Sequence, residues 1–564
     1  MIHLIPAVKE LKTAEGFLAK ASVCFDPNKY SHKLQKVLGK LPLSADGAHL
    51  EIAVGVETGE GYSLAVTPDA IRIDAESERG AFYAIQTLRQ LFENHQIPCL
   101  TINDRPDFSY RGFYHDVTRG KVPTLDTLKK LVDKMAYYKL NALQLYVEHV
   151  FPFEECQELV KETSCLTGEE LCELDAYCEE NFIDFQPSLS TFGHLFELLE
   201  QKEYQHLRVL KDFKPGACRW GDRMAHHTID PDLPESLDLV KSLIDQYAPH
   251  FTSEYFNVCC DETFDLGRAY PDQSGKLYTD FVKSILAHIK NKGKTPMMWA
   301  DILLQHPECI AEIPEDVYFL NWNYSSAPKE ETVEALARLG RRQIVCPGTS
   351  SWSRFCERVD TEEKNICLMA EYGYKHGAVG VLNTNWGDWG NPASLETSYY
   401  GMVLGAAKSW NIKTQPSEQF DADVNALLYH NKNGMHYLRE LSRAHAGVTW
   451  NLIMRAAHNH RAGLEYKTPM TEEALQNAKS TYQKLTDELV GDTWQHGDFK
   501  SEFLLAAEGI CVLAELGAKL AGIACERMTN TAVFLSRYRE KWLAKNKKSE
   551  LKRIEEIMLY MESI

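Results

Sequence analysis

Long apolar runs are missing from this chain of 564 residues. No stretch approaches the roughly 20 residues that cross a bilayer, so no membrane partner is expected. The opening Met1-Ile2-His3-Leu4-Ile5-Pro6 has no basic segment and meets proline at once, so no secretory signal is expected either. Positive charge is in deficit. Lys and Arg number 61 against 80 acids, a formal net charge of -19, which argues against nucleic acid and against an anionic membrane surface. The 15 cysteines are an odd number, scattered, with no Cys-x-x-Cys, and Cys172 and Cys178 lack metal-type spacing. Free thiols in a reducing cytoplasm are the reading that follows. His458, His460 and His227 form no ligand set with nearby acids, so neither a metal nor a cofactor is expected. There is no internal repeat and no low-complexity tract. Tryptophan is scarce, 10 in all, which makes its distribution informative.

What is present is an ordinary globular composition, 44% hydrophobic and 10% aromatic, in a chain long enough for several domains. Residues 1–105 read as a small α/β domain. His49–Val56, Tyr62–Val66 and Ala70–Ile73 are strand-like, and a helix from Arg79 to Asn94 carries Phe82, Ile85, Leu88 and Phe92 on one face. Asn103-Asp104-Arg105-Pro106-Asp107 marks a boundary. Residues 106–415 repeat strand, loop and helix. Strands are expected near Tyr110–Val117, Ala142–Val147, Ile183–Ser188, Tyr255–Cys260, Pro296–Ala300, Val317–Trp322, Gln343–Pro347 and Ala378–Thr384. Eight such units predict a (β/α)8 TIM barrel. Residues 416–564 read as helical, a domain that packs on the barrel or supplies a subunit contact such as a homodimer's.

In a barrel of this kind, chemistry collects at the C-terminal strand ends. The fourth strand ends in Asp261-Glu262. Two adjacent acids cannot both be comfortably ionised, so one can stay a carboxylate while its neighbour carries a proton. The plain alternative is a helix N-terminus with acids at its positive end. Around the pair the other strand ends bring Arg111, His115 and Asp116; Glu148-His149; His194; Trp299 with Asp301; Trp322 with Asn323 and Tyr324; Trp352; and Trp386 with Asp388. Scarce tryptophans converging on one acid pair suit a carbohydrate, because indole faces stack on sugar C–H faces while carboxylates hold hydroxyls. A pair at one strand end serves one side of a sugar more easily than it flanks a bond across roughly 5 Å, which favours a nucleophile from the substrate, a 2-acetamido oxygen.

Ser77-Glu78-Arg79-Gly80-Ala81-Phe82-Tyr83-Ala84-Ile85-Gln86-Thr87-Leu88, Arg111-Gly112-Phe113-Tyr114-His115-Asp116-Val117, Lys139-Leu140-Asn141 and Asp261-Glu262 together resemble family 20 glycoside hydrolases, the β-N-acetylhexosaminidases, over residues 1–410 or so. The resemblance implies an exo-acting, retaining enzyme acting on an oligosaccharide or glycoconjugate with a non-reducing terminal β-linked N-acetylhexosamine, GlcNAc and also GalNAc. It implies Glu262 as acid and base and Asp261 as the group that orients the acetamide. Arg111 and Asp388 would hold hydroxyls, with Asp388 where the family usually has Glu. Trp299 and Trp322 would wall the acetamido pocket, Trp386 would stack under the ring, and Glu148 and His194 would tune Glu262; Trp352, at the seventh strand end, is read from its position as a further sugar contact. The family's tyrosine after the seventh strand is missing from Gly348–Arg354, which leaves Tyr324 as the candidate to replace it. Arg111 as a structural partner of Asp116 or Asp261, and His194 as a satisfied core histidine, are the competing readings. Other functions stay open: a second acetamido-dependent glycosidase of the type that removes O-linked GlcNAc, though those use Asp-Asp; a sugar-binding barrel without catalysis; and a metal-dependent barrel hydrolase.

Overall fold

The computed structural model describes residues 2–564 apart from 95, 226 and 496 and the side chains of 162 and 163. Six strands open the chain: β1 (Glu10–Phe17), β2 (Val23–Cys24), β3 (Ala48–Val54), β4 (Tyr62–Val66), β5 (Ala70–Ala75) and β6 (Pro98–Asp104). They form one mixed sheet in the order β1-β6-β4-β5-β3-β2. The helix Glu78–Phe92 covers it. Ser77 caps this helix by accepting from the Gly80 N–H, and Phe82, Ile85 and Leu88 are buried beneath it as their spacing predicts.

Eight further strands close into a parallel barrel: β7 (Tyr110–Asp116), β8 (Ala142–Val147), β9 (Asp184–Leu189), β10 (Tyr255–Asn257), β11 (Thr295–Trp299), β12 (Tyr318–Trp322), β13 (Arg342–Cys346) and β14 (Gly380–Asn385). β14 pairs with β7 to complete the ring. β7, β8 and β14 are buried along their whole length, so they show no alternation between core and solvent, as expected of parallel strands covered on both faces. The expected fourth strand ran to Cys260, but β10 stops at Asn257. Cys259 and Cys260 take left-handed conformations, φ 58° and 66°, so the ladder cannot continue and the chain turns at the barrel mouth.

The C-terminal part is helical, from Glu418–Val424 to Leu551–Ser563. It packs on the barrel's loop end. Tyr538 donates to Pro392 O, Trp450 Nε1 to Trp389 O, and Lys547 pairs with Glu170. Among the described residues, no helix is long and apolar enough to cross a membrane.

Candidate active site

The turn after β10 places the acid pair. Cys259 is small enough to sit 3.4 Å from Ser188 Oγ inside the barrel, while Cys260 O accepts from Tyr278. Glu262 is itself left-handed, φ 49°, and its N–H donates to Asp301 Oδ2 at 3.0 Å. His194 and Asp388 also have positive φ, 59° and 48°. Side chains other than glycine pay on the order of 1 kcal/mol or more for such a backbone, and such positions gather at working sites. Burial, then the charges of Asp261 and Glu262, raise Asp301 to about 7.

The two acids face different surroundings. The Asp261 side chain is 10% exposed and that of Glu262 28%, so Glu262 is the one that meets an incoming group. His194 Nε2 lies 3.2 Å from Asp261 Oδ2 and 3.4 Å from Glu262 Oε2. Its Nδ1 faces Arg119 Nη2 at 3.1 Å, so a ring that accepts from Arg119 at Nδ1 carries its hydrogen on Nε2, the nitrogen turned to the acids. Burial lowers the His194 pKa, but the charge of Asp261 together with the contacts to the Asp261 and Glu262 carboxylates outweighs it and raises the value to about 10. Asp261 Oδ1 is buried and, among the described residues, has no hydrogen-bond partner.

Arg119 organises one wall. It donates from Nε to Glu148 at 3.1 Å, from Nη1 to Asp388 at 2.9 Å, and from Nη2 to Tyr146 and His194 at 3.1 Å each. Nη1 also lies 3.9 Å from Asp116 Oδ2. Burial would raise Glu148, but His149, Arg119 and Arg223 hold it ionised, well below the usual range. Burial raises Asp388 to about 6 despite Arg119 beside it.

Arg119, His194, Met224, Asp261, Glu262, Trp299, Trp322, Tyr324, Trp352, Trp386 and Asp388 enclose a cavity of about 150 Å³, the size that admits one six-membered ring. Tyr324 stacks on Trp322 with ring centres 5.1 Å apart, and its hydroxyl accepts from Trp386 Nε1 at 2.7 Å. Of the residues given a catalytic, binding or tuning role from the sequence, all but Arg111 and Glu148 line this cavity. Glu148 stands behind it and reaches it through Arg119.

Arg111 does not belong there. It is the second residue of β7, at the opposite mouth, with no exposure; it pairs with Glu60 at 2.6 Å and donates to Lys139 O and Phe108 O. A guanidinium so enclosed cannot reach a sugar, and its ion pair is with Glu60 rather than with Asp116 or Asp261. Arg119 holds the place assigned to Arg111. The signal was strand direction, because Arg119 follows β7 and Arg111 begins it. Met224 carried no sequence signal.

His194, Asp261 and Glu262 are also the one group among the described residues close enough to share a cation, a set the sequence reading did not foresee. The set does not fit one well: the Arg119 guanidinium occupies the same imidazole and repels a metal.

Residues 1–105 match the model of glycosyl hydrolase family 20, domain 2, and residues 108–422 that of glycosyl hydrolase family 20, catalytic domain. The chain is 25% identical over 360 residues to a β-hexosaminidase of Porphyromonas gingivalis, covering 54% of this chain and 46% of that protein. It is 25% identical over 223 residues to hexosaminidase D of Bos taurus, 37% of this chain and 61% of that one. The matches thus span about half the length of these curated relatives. In fold it resembles the chitobiase of Flavobacterium johnsoniae, with a TM-score of 0.62 at 16% identity over 99% of this chain and 98% of that one. A Streptomyces plicatus β-hexosaminidase gives 0.57 at 20% identity over 75% and 93%. The second family model alone spans more than half of the chain. With the acid pair at the mouth of an eight-stranded barrel, it shows that this chain belongs to glycosyl hydrolase family 20 and carries that family's catalytic domain.

Proposed function

We propose that the protein is an exo-acting, retaining β-N-acetylhexosaminidase that uses the substrate's own acetamide as nucleophile. The observation that carries this is Asp261 Oδ1, a buried carboxylate oxygen without a partner among the described residues, beside a more exposed Glu262 in a cavity for one ring. A buried acceptor left unmet is costly, and a substrate N–H would meet it. Glu262 protonates the glycosidic oxygen as the acetamide oxygen attacks the anomeric carbon and the bond to the leaving group breaks. The oxazolinium ion that forms carries positive charge on its nitrogen, which Asp261 offsets. Glu262 then takes a proton from water, and the water opens the ring with net retention.

Trp386, Trp299, Trp322 and Trp352 line the cavity that would receive the sugar. Tyr324 can donate to the acetamide oxygen while accepting from Trp386. Arg119 and Asp388 are suited to the distal hydroxyls. Asp388 is shorter than the family's usual Glu, which leaves room for an axial 4-hydroxyl, so GalNAc as well as GlcNAc is accommodated. The thiols, all free and mostly buried, support a reducing compartment, the cytoplasm; cell fractionation tests this, and recovery from the medium would refute it.

Hydrolysis of two aryl β-glycosides, one bearing 2-acetamido and one 2-hydroxyl, tests the mechanism. Activity confined to the acetamide, and strongly reduced in both Glu262→Gln and Asp261→Asn, is expected. Equal activity on both sugars would place the nucleophile in the protein instead. Chelator should leave the rate unchanged.

A further inference from the structure

The C-terminal helical region beyond residue 422 lies outside both family matches, yet one of its carboxylates is tied to the cavity wall. Glu550 precedes the helix Leu551–Ser563 and is 4% exposed. It accepts from Trp220 Nε1 at 2.8 Å and from both terminal nitrogens of Arg223, at 3.1 and 3.2 Å. That is a forked, charge-assisted pair around a guanidinium with no exposure. Both donors stand on the short helix Arg219–Arg223, and the next residue is Met224 of the cavity wall.

Trp220 carries the tie across to a second wall segment. A Cβ added at Gly390 would lie 2.8 Å from the Trp220 ring, and one added at Gly221 would lie 3.3 Å from the Trp389 ring. The two segments therefore pack with no side chain to spare between them, immediately after Asp388. A third segment is held by the backbone, because the Glu550 N–H donates to Gly120 O at 3.2 Å, one residue beyond Arg119. Behind these, Arg223 is among the positive groups that keep Glu148 ionised to anchor Arg119.

We infer that Glu550 is a positioning residue for the glycosidase site, fixing from outside the catalytic domain the three wall segments that carry Met224, Asp388 and Arg119. The inference rests on the function proposed above. These segments face the sugar rather than the breaking bond, so displacing them weakens substrate binding more than it slows the chemical step.

The test compares Glu550→Gln, the double variant Arg223→Met with Glu550→Leu, and Lys547→Ala, with thermal unfolding followed for each. Lys547→Ala removes a tie of the same region to the barrel, its pair with Glu170, away from the cavity. The double variant leaves no buried charge without a partner and is expected to fold even if Glu550→Gln does not. KM for the aryl glycoside should rise roughly tenfold in the first two variants, with a smaller change in kcat, and stay at the wild-type value in Lys547→Ala. A folded double variant with wild-type KM, whatever its kcat, would overturn the inference, as would an equal rise in Lys547→Ala. The wild-type preference between acetamido and hydroxyl glycosides tests the functional reading separately. The variant-to-wild-type ratio on whichever glycoside is cleaved tests this one.

Discussion

Two arginines stand at the two ends of β7. Both are buried and both are paired with carboxylates, but they do different work. Arg111, at the strand's start, is held by Glu60 and by backbone carbonyls through Nε and Nη1, with Nη2 buried and unpartnered among the described residues, and it lies over the rings of Tyr83 and Trp410. It clamps the N-terminal domain to the barrel. Arg119, past the strand's end, lines the cavity and touches His194 and Asp388, both in left-handed turns. Cavity size does not tell the two mouths apart in the expected sense. The mouth near Arg111 opens on the larger space, about 650 Å³, yet it holds no adjacent acid pair and no tryptophan. What separates them is strand polarity: the strands deliver their C-terminal loops, with acids, imidazole and indoles, to one end only.

The largest effect should come from Arg119. Arg119→Lys keeps the charge but not the fork, and kcat/KM should fall roughly 100-fold with the fold retained; steady-state kinetics beside a melting curve checks this. Arg111→Met should do the reverse. It leaves Glu60 without its buried partner, lowers the unfolding free energy by about 3 kcal/mol, and leaves kcat near wild type. Denaturant titration measures the first and initial rates the second. If Arg111→Met lost activity without losing stability, the contrast between the two ends would fail.

Tyr324→Phe takes the acceptor from Trp386 Nε1 and the donor from the acetamide. It should reduce kcat roughly tenfold on the acetamido glycoside with the fold retained; steady-state kinetics beside a melting curve checks this. A smaller effect belongs to pH. Asp388 is raised from its ordinary carboxylate value to about 6. Below that pH it becomes protonated and loosens its hold on Arg119, so KM should rise a few-fold on the acid side of about 6, and Asp388→Asn should remove the dependence. For stability the sign is opposite. The folded-state value lies above the unfolded one, so the contribution of Asp388 is fully present below about pH 4. It is lost as pH rises through 6, and Asp388→Asn should flatten that slope in melting curves.

Much of this was legible in the sequence, for reasons that differ by residue. Most of the eight barrel strands are short, largely apolar stretches bounded by polar turns, a local signal, and Asp261-Glu262 stands out because it closes one such stretch. The tryptophans stand out because they are scarce. Arg111 was misread because its neighbours resemble a familiar strand, while the direction of that strand assigns it to the wrong mouth. Local pattern could not show the left-handed turn at Cys259 and Cys260 that cuts β10 short, because its cause is the contacts with Ser188, Thr191 and Tyr278 from other elements. Asp301 was visible at a strand end, but its hold on the Glu262 N–H was not. Met224 and Glu550 were beyond reach. Their place in the site depends on Trp220 and Arg223 meeting a carboxylate more than 300 residues further on.

The central claim is that the acetamide attacks. It is tested most directly by measuring kcat/KM on aryl glycosides whose N-acetyl group carries zero, one, two or three fluorines. Fluorine withdraws electrons from the acetamide oxygen with little change in size. A steep, progressive fall in rate across the series is the predicted result. A flat series would mean that this oxygen forms no bond in the transition state, and would contradict the role given to Asp261.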